Sequence, residues 1–208
     1  MCAVIVAMFV TPAPQQVIGE SSRIFYFHVP QAWVSVLAFA LAMVFSVRYL
    51  RSRQPADDDR ARTAAALGLM FCLLATITGS LFARVYWGSF WNWDPREMSI
   101  FVLLLIYFAY FALRGAIEVE ERRAALSAVY AVFAFVTVPL LVFVLPRMVP
   151  GLHPGANVAN EDAAFSMSPT VAVIFFPALA VFTVLFVWIF TLASRIQALS
   201  RADEEKDM

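Results

Sequence analysis

The 208-residue chain is 62% apolar and 14% charged, and its 15 basic and 15 acidic side chains give a net charge of zero. Soluble domains are roughly 45–50% apolar and about 25% charged, so a water-soluble fold is excluded and membrane lipid is the expected surrounding. The zero net charge gives no indication of a nucleic-acid partner. The composition therefore predicts one membrane-embedded domain over residues 1–200, followed by a short polar tail over residues 201–208.

A transmembrane helix needs about 20 apolar residues to cross ~30 Å of hydrocarbon. The N-terminal stretch Met1–Val10 is apolar, but ten residues rise only about 15 Å, and the segment Thr11-Pro12-Ala13-Pro14 then breaks the pattern. A signal peptide would begin with basic residues, which this stretch does not have. We interpret Met1–Val10 as a short or truncated first helix.

Five longer uncharged stretches follow and predict five spanning helices. In chain order they are Val29–Val47, Thr63–Ala83, Met98–Leu113, Ala124–Pro146 and Ala163–Ser194. The last is longer than one span, and Ser168-Pro169 is a natural start for its helix. Together with the short first helix, these stretches predict an all-α integral membrane protein that forms a six-helix transmembrane bundle.

The distribution of Lys and Arg predicts the orientation, because cytoplasmic loops are enriched in both. Eleven of the 15 basic residues lie on one side, in segments 48–62 and 114–123 and after residue 194. That side, with the C-terminal tail, is predicted to be cytoplasmic. The segments 11–28, 84–97 and 147–164 then face the periplasm of a bacterial cytoplasmic (inner) membrane. This arrangement requires the short first helix to cross as well.

The middle outer segment is rich in aromatic residues. Three of the chain's five tryptophans fall within seven residues, at Trp87, Trp91 and Trp93. Tryptophan gathers at membrane interfaces in any case, but an aromatic belt does not account for Asp94 and Arg96 in the same run. Nor does it account for Gly88, which lets the backbone approach a flat group. Aromatic faces beside cations suit a large planar ligand with acidic edges, and haem is such a ligand.

Both histidines of the chain, His28 and His153, fall in the predicted outer segments. A lone histidine is more often a hydrogen-bonded structural residue, but two neutral imidazoles are a common axial pair for haem iron. The pair therefore predicts a haem site in the outer layer of the bundle. Arg23, Arg84 and Arg96 are candidates to bind the haem propionates through charge-assisted hydrogen bonds, with an interfacial anchor as the alternative for each arginine.

The run from Trp87 to Asp94, WGSFWNWD, resembles the W-G-x-x-W-x-W-D signature of the WWD proteins, which handle haem in cytochrome c maturation. The block SRIFYFHVP around His28 and the block LHPG around His153 resemble the two histidine blocks of one such family, haem exporter protein C (CcmC) of the system I pathway. Order, spacing and length extend the resemblance over nearly the whole chain.

The resemblance implies a site and a function. It implies that His28 and His153 ligate the iron of haem b. It also implies a porphyrin platform formed by Trp87, Gly88, Trp91, Trp93 and Asp94. It further implies that the haem is delivered to a membrane-anchored periplasmic haem chaperone, on which a covalent bond then forms. No catalytic residue is therefore predicted in this chain. Further implied partners are an ABC-type ATPase, a permease subunit and a small single-helix subunit.

Three features depart from the family pattern, and one of them is the short first helix. Phe90 stands where protein C usually has another tryptophan, and Asp94-Pro95-Arg96-Glu97 is closer to the W-D-P-K-E of the system II relative. A system II haem channel or haem lyase subunit, which attaches haem to apocytochrome c, therefore remains an alternative. A respiratory cytochrome b subunit is a second alternative, although such proteins carry their histidine pairs inside the membrane helices.

Overall fold

The computed structural model describes residues 2–11, 19–153 and 168–206, and within them the chain forms six helices. They are α1 (Cys2–Val10), α2 (Phe25–Ser52), α3 (Pro55–Trp87), α4 (Pro95–Ala116), α5 (Glu120–Met148) and α6 (Pro169–Lys206). The predicted all-α fold is confirmed. Expectations that concern residues 12–14, 154–155, 163–167 and 207–208 lie outside the described residues.

Among the described helices, α2 to α6 are long and apolar enough to cross a membrane, and the nine-residue α1 is not. Nine residues rise only about 13 Å, as expected for a short first helix. Met8 of α1 packs in one apolar cluster with Ile174 and Phe175 of α6. The chain is a multi-pass membrane protein whose short first helix packs against its last.

All five spanning helices extend beyond the uncharged stretches that predicted them at one or both ends, and α3 and α6 extend furthest. Helix α3 begins at Pro55 instead of Thr63, because proline at the first helical position and acidic side chains in the first turn favour a helix start. Helix α6 begins at Pro169, as predicted, and continues through Lys206. The described part of the predicted tail, residues 201–206, is therefore a continuation of the last helix.

Helix α2 is central and packs against α3, α5 and α6. Its small buried residues Ala38, Ala42 and Ser46 repeat every four positions, and such spacing lets neighbouring helices approach closely. The ring of Phe39 in α2 stacks on Tyr107 of α4 with ring centroids 3.6 Å apart. This packing places the first turn of α2 beside the last turns of α3.

Ion pairs join four helices at the end of the bundle where α3 begins. The buried guanidinium of Arg114 in α4 donates two hydrogen bonds of 2.7 Å to Asp58 of α3. Next to it, Arg201 of α6 pairs with Asp59 at 2.9 Å and with Glu120 of α5 at 3.1 Å. Removing one partner of a buried pair typically costs about 3–5 kcal/mol. These contacts therefore specify how α3, α4, α5 and α6 align at this end.

Candidate functional site

The candidate site lies at the opposite end of the bundle, which we call the site end. It comprises the start of α2, the end of α3, the start of α4 and the end of α5. His28 lies in the first turn of α2, where its Nδ1 is 2.9 Å from the carbonyl oxygen of Ala75 and 3.2 Å from the hydroxyl of Thr78. A carbonyl only accepts hydrogen bonds, so Nδ1 carries the proton. Nε2 of His28 therefore keeps its lone pair.

Gly79 of α3 provides space for the His28 ring. A Cβ atom at Gly79 would lie 2.7 Å from Cε1 and 3.5 Å from Nε2 of His28. Glycine at this position therefore allows the His28 ring to pack directly against α3. Gly79 was not among the site residues predicted from the sequence. The available signal was a glycine inside an apolar helix, which usually has a packing or functional reason.

The second histidine is held by a carboxylate. Nδ1 of His153 lies 2.7 Å from Oδ1 of Asp94, the N-cap residue of α4. The same Oδ1 accepts the backbone N–H of Arg96 at 2.9 Å, and Oδ2 accepts the backbone N–H of Leu152. His153 thus resembles His28 in having Nδ1 engaged by a protein acceptor. The two rings are near enough for their charges to interact.

Asp94 is charged in this environment. Burial alone would raise the pKa of Asp94, but hydrogen bonds from His153 and from the backbone N–H groups of Arg96 and Leu152 lower this pKa to about 2. The carboxylate therefore presents a full negative charge to the imidazole of His153 at neutral pH.

The tryptophan-rich segment forms the loop between α3 and α4. Gly88 ends α3 with a φ of 81°, and Trp93 precedes α4 with a φ of 58°, a left-handed conformation that residues other than glycine rarely adopt. Glu97 accepts hydrogen bonds from the N–H groups of Asn92 at 2.7 Å and Asp94 at 3.2 Å, which completes a capping box. Backbone geometry and Glu97 together fix the shape of the loop.

The three tryptophans of the loop occupy different environments. Trp87 lies beside His153, with ring centroids 4.8 Å apart. Trp91 is half-buried and meets Trp93 edge-to-face at 6.1 Å, whereas Trp93 is 72% exposed. The structure therefore brings Trp87 to a histidine and leaves Trp93 at the outer edge. Gly88 is exposed, and a Cβ atom there would meet no neighbouring atom of the described residues within 4 Å; its observed role is to end α3.

The three arginines predicted to bind the propionates differ in the groups that their guanidinium groups contact. Arg23 is buried and forms a salt bridge with Glu20, which precedes it by one turn. Arg84 donates to the carbonyl of Gly88. Within the described residues no salt bridge involves Arg96, which lies near a second guanidinium, that of Arg147. Arg147 was not among the residues predicted for the site.

One histidine lies in the first turn of α2, the other follows the end of α5, and the aromatic loop joins α3 to α4 at the same end of the bundle. This arrangement defines a polytopic membrane protein with a candidate binding site at one end. A family model described as "Heme exporter protein C" matches residues 1–208. The chain belongs to this haem exporter protein C family. Membership of this family selects the system I pattern over the system II pattern; the sequence alone had left both open.

Curated relatives carry the same description. The heme exporter protein C of Bradyrhizobium diazoefficiens is 32% identical over 88% of this chain and 69% of its own length. The corresponding protein of Rhodobacter capsulatus is 31% identical over 74% of this chain and 63% of its own length. That of Escherichia coli K12 is 29% identical over 59% of this chain and 50% of its own length. The chain therefore spans between one half and about two thirds of these relatives.

Proposed function

We propose that this chain binds haem b at the site end through His28 and His153 and presents it to a membrane-anchored haem chaperone for cytochrome c maturation. The observation that carries the proposal is the matched arrangement of the two imidazoles. Each holds its Nδ1 against a protein acceptor, which leaves Nε2 to bind a metal. The relatives named as haem exporters support the choice of haem as the ligand. Haem would supply an iron that binds nitrogen ligands, and His28 and His153 would hold it.

The described residues suit a large planar ligand. Gly79 lets the His28 ring lie directly against α3, and the indole of Trp87 lies beside His153. We propose that Trp87, Gly88, Trp91 and Trp93 form the surface along the porphyrin. For the propionates we propose Arg96 first, because the guanidinium of Arg23 has a carboxylate partner and that of Arg84 has a carbonyl partner.

The exposed edge of the tryptophan loop suits transfer to a partner. Trp93 is 72% exposed and Phe90 is 55% exposed, so a chaperone could approach the site there without unfolding the bundle. In this proposal the histidines hold the iron, the tryptophans orient the ring, and the chaperone receives the haem. By family membership, we further propose that the chain assembles with an ABC-type ATPase, a permease subunit and a small single-helix subunit.

We propose that the site end faces the periplasm, because 11 of the 15 basic residues lie at the opposite end or in the predicted cytoplasmic segments. Alkaline phosphatase is active only outside the cytoplasm. A fusion after Gly88 should therefore be active and a fusion after Pro55 inactive, as assayed in whole cells with matched expression levels. The reverse pattern would contradict the proposed orientation.

Replacing Trp91 and Trp93 together by alanine is expected to reduce haem transfer more than folding. Both side chains lie in the loop, where Trp91 also meets Phe101 of α4 edge-to-face at 6.2 Å, and each aromatic contact is worth about 0.5–1.5 kcal/mol. Haem bound covalently to a co-expressed chaperone should therefore fall about tenfold, while the amount of inserted protein stays unchanged.

The matched control for this double variant is Trp188→Ala, which removes a tryptophan that is 67% exposed on α6. It should leave chaperone haem at the wild-type level. Equal chaperone haem in the double variant and in the control would remove the tryptophan loop from the proposed transfer step.

A further inference from the structure

We infer that Asp94 is a positioning residue for His153: its carboxylate accepts the N–H of Nδ1 and thereby directs Nε2 toward the iron site. The inference rests on the proposed function, in which His153 is an iron ligand. It gives Asp94 a place behind the imidazole, whereas the sequence pattern had placed this residue in the platform against the porphyrin.

The surroundings of Asp94 favour this role over direct contact with a ligand. Its side chain has 0% exposure, and Oδ1 lies 2.7 Å from Nδ1 of His153. Oδ1 also accepts the N–H of Arg96, and Oδ2 accepts the N–H of Leu152. The carboxylate therefore accepts hydrogen bonds from three protein N–H groups, and no part of its surface is exposed for contact with a planar ligand.

A carboxylate behind an imidazole has a defined chemical effect. It fixes the proton on the near nitrogen, orients the ring and raises the basicity of the far nitrogen. The corresponding acceptor behind His28 is the neutral carbonyl of Ala75. The two histidines are therefore inequivalent, and His153 is the stronger electron donor of the pair.

The backbone around His153 is closely fitted to Asp94. A Cβ atom at Gly151 would lie 2.6 Å from Oδ2 of Asp94 and 3.1 Å from Cδ of Pro95, so the segment approaches the carboxylate as closely as glycine allows. Asp94 is also the N-cap of α4, with a capping box completed by Glu97. The position of His153 is thus set by the fixed start of a spanning helix.

The experiment compares two exogenous ligands in haem-loaded, purified His153→Gly protein. Imidazole can bind the vacated iron position and donate its N–H to Asp94. 1-Methylimidazole binds iron through its unsubstituted nitrogen but has no N–H to donate. Spectral titration should show imidazole binding about tenfold more tightly than 1-methylimidazole, the lower end of the effect of losing an outer hydrogen-bond partner.

Adding Asp94→Asn to His153→Gly should largely abolish this preference. In the matched His28→Gly background, Asp94→Asn should leave the preference unchanged, because the vacated position there faces Ala75. Gly151→Ala, also combined with His153→Gly, displaces the carboxylate without removing its charge and should lower the preference too. It serves as the test should the Asp94→Asn protein fail to fold.

The outcomes separate the two proposals. A lowered preference in either double variant supports the positioning role, and an unchanged preference in both overturns it while leaving the ligand assignment intact. A His153→Gly protein that keeps the wild-type spectrum without added ligand would instead overturn the assignment of His153 as an iron ligand, and the positioning role with it.

Discussion

Replacing either His28 or His153 by glycine is expected to remove most of the haem that co-purifies with this protein. Each substitution takes away one axial nitrogen, so the remaining haem should change from a six-coordinate low-spin to a five-coordinate spectrum. The loss of haem affinity should exceed the ~10–100-fold that follows the loss of an outer hydrogen-bond partner alone. Haem content per protein and the visible absorption spectrum measure both effects.

Added imidazole should restore the low-spin spectrum in both glycine variants, because it fits the vacated space and supplies the missing nitrogen. His28→Leu and His153→Leu are the matched controls, since leucine fills that space and leaves no room for imidazole. A purely structural histidine would behave differently: its loss would reduce expression, and imidazole would repair nothing. If both glycine variants keep wild-type haem content and a low-spin spectrum without imidazole, the ligand assignment is wrong.

The spanning helices were predictable because a membrane imposes one simple requirement, a sufficient length of uncharged sequence. Helix ends were less predictable. Helix α3 begins at Pro55 and includes Asp58 and Asp59, which pair with Arg114 and Arg201 of other helices. Such pairings join residues far apart in sequence, and local composition does not reveal them.

The chemistry of the candidate site was visible in the sequence only where it depends on the identity of a side chain. His28, His153 and the tryptophan run were predicted because those residue types are rare or clustered. The acceptor for His28 is a backbone carbonyl of Ala75, which carries no chemical signal in the sequence. The bond between His153 and Asp94 joins positions 59 residues apart.

Arg23 illustrates a local contact that sequence spacing does offer. It was predicted to bind a propionate, and the structure pairs it with Glu20, three residues earlier. Residues at this spacing in a helical turn lie on the same face, so the pairing was accessible to sequence reasoning. Arg96 was predicted on the same grounds as Arg23, and it lies near a second guanidinium, that of Arg147.

Gly79→Ala is expected to impair haem binding while leaving the helix at least as stable. Alanine is favoured over glycine in a helix by about 1 kcal/mol, which offsets part of the cost of moving the His28 ring, so the protein should still fold and insert. The added Cβ would lie 2.7 Å from Cε1 of His28, which is much shorter than the ordinary contact distance of 3.4–4 Å. The ring must then move, which distorts the 2.9 Å hydrogen bond from Nδ1 of His28 to the carbonyl oxygen of Ala75. We expect haem retention to fall about tenfold, as for other disturbed ligand-orienting contacts.

Gly115→Ala is the matched control, because it makes the same chemical change near the end of α4, where a Cβ atom would meet no neighbouring atom of the described part of the chain within 4 Å. Both variants should insert normally, since alanine is favoured over glycine in a helix. Only Gly79→Ala should lose haem and weaken the low-spin spectrum, because only there does the new methyl group displace an imidazole. Equal haem content in the two variants would mean that the position of His28 beside α3 does not matter for haem binding, and the site would have to lie elsewhere.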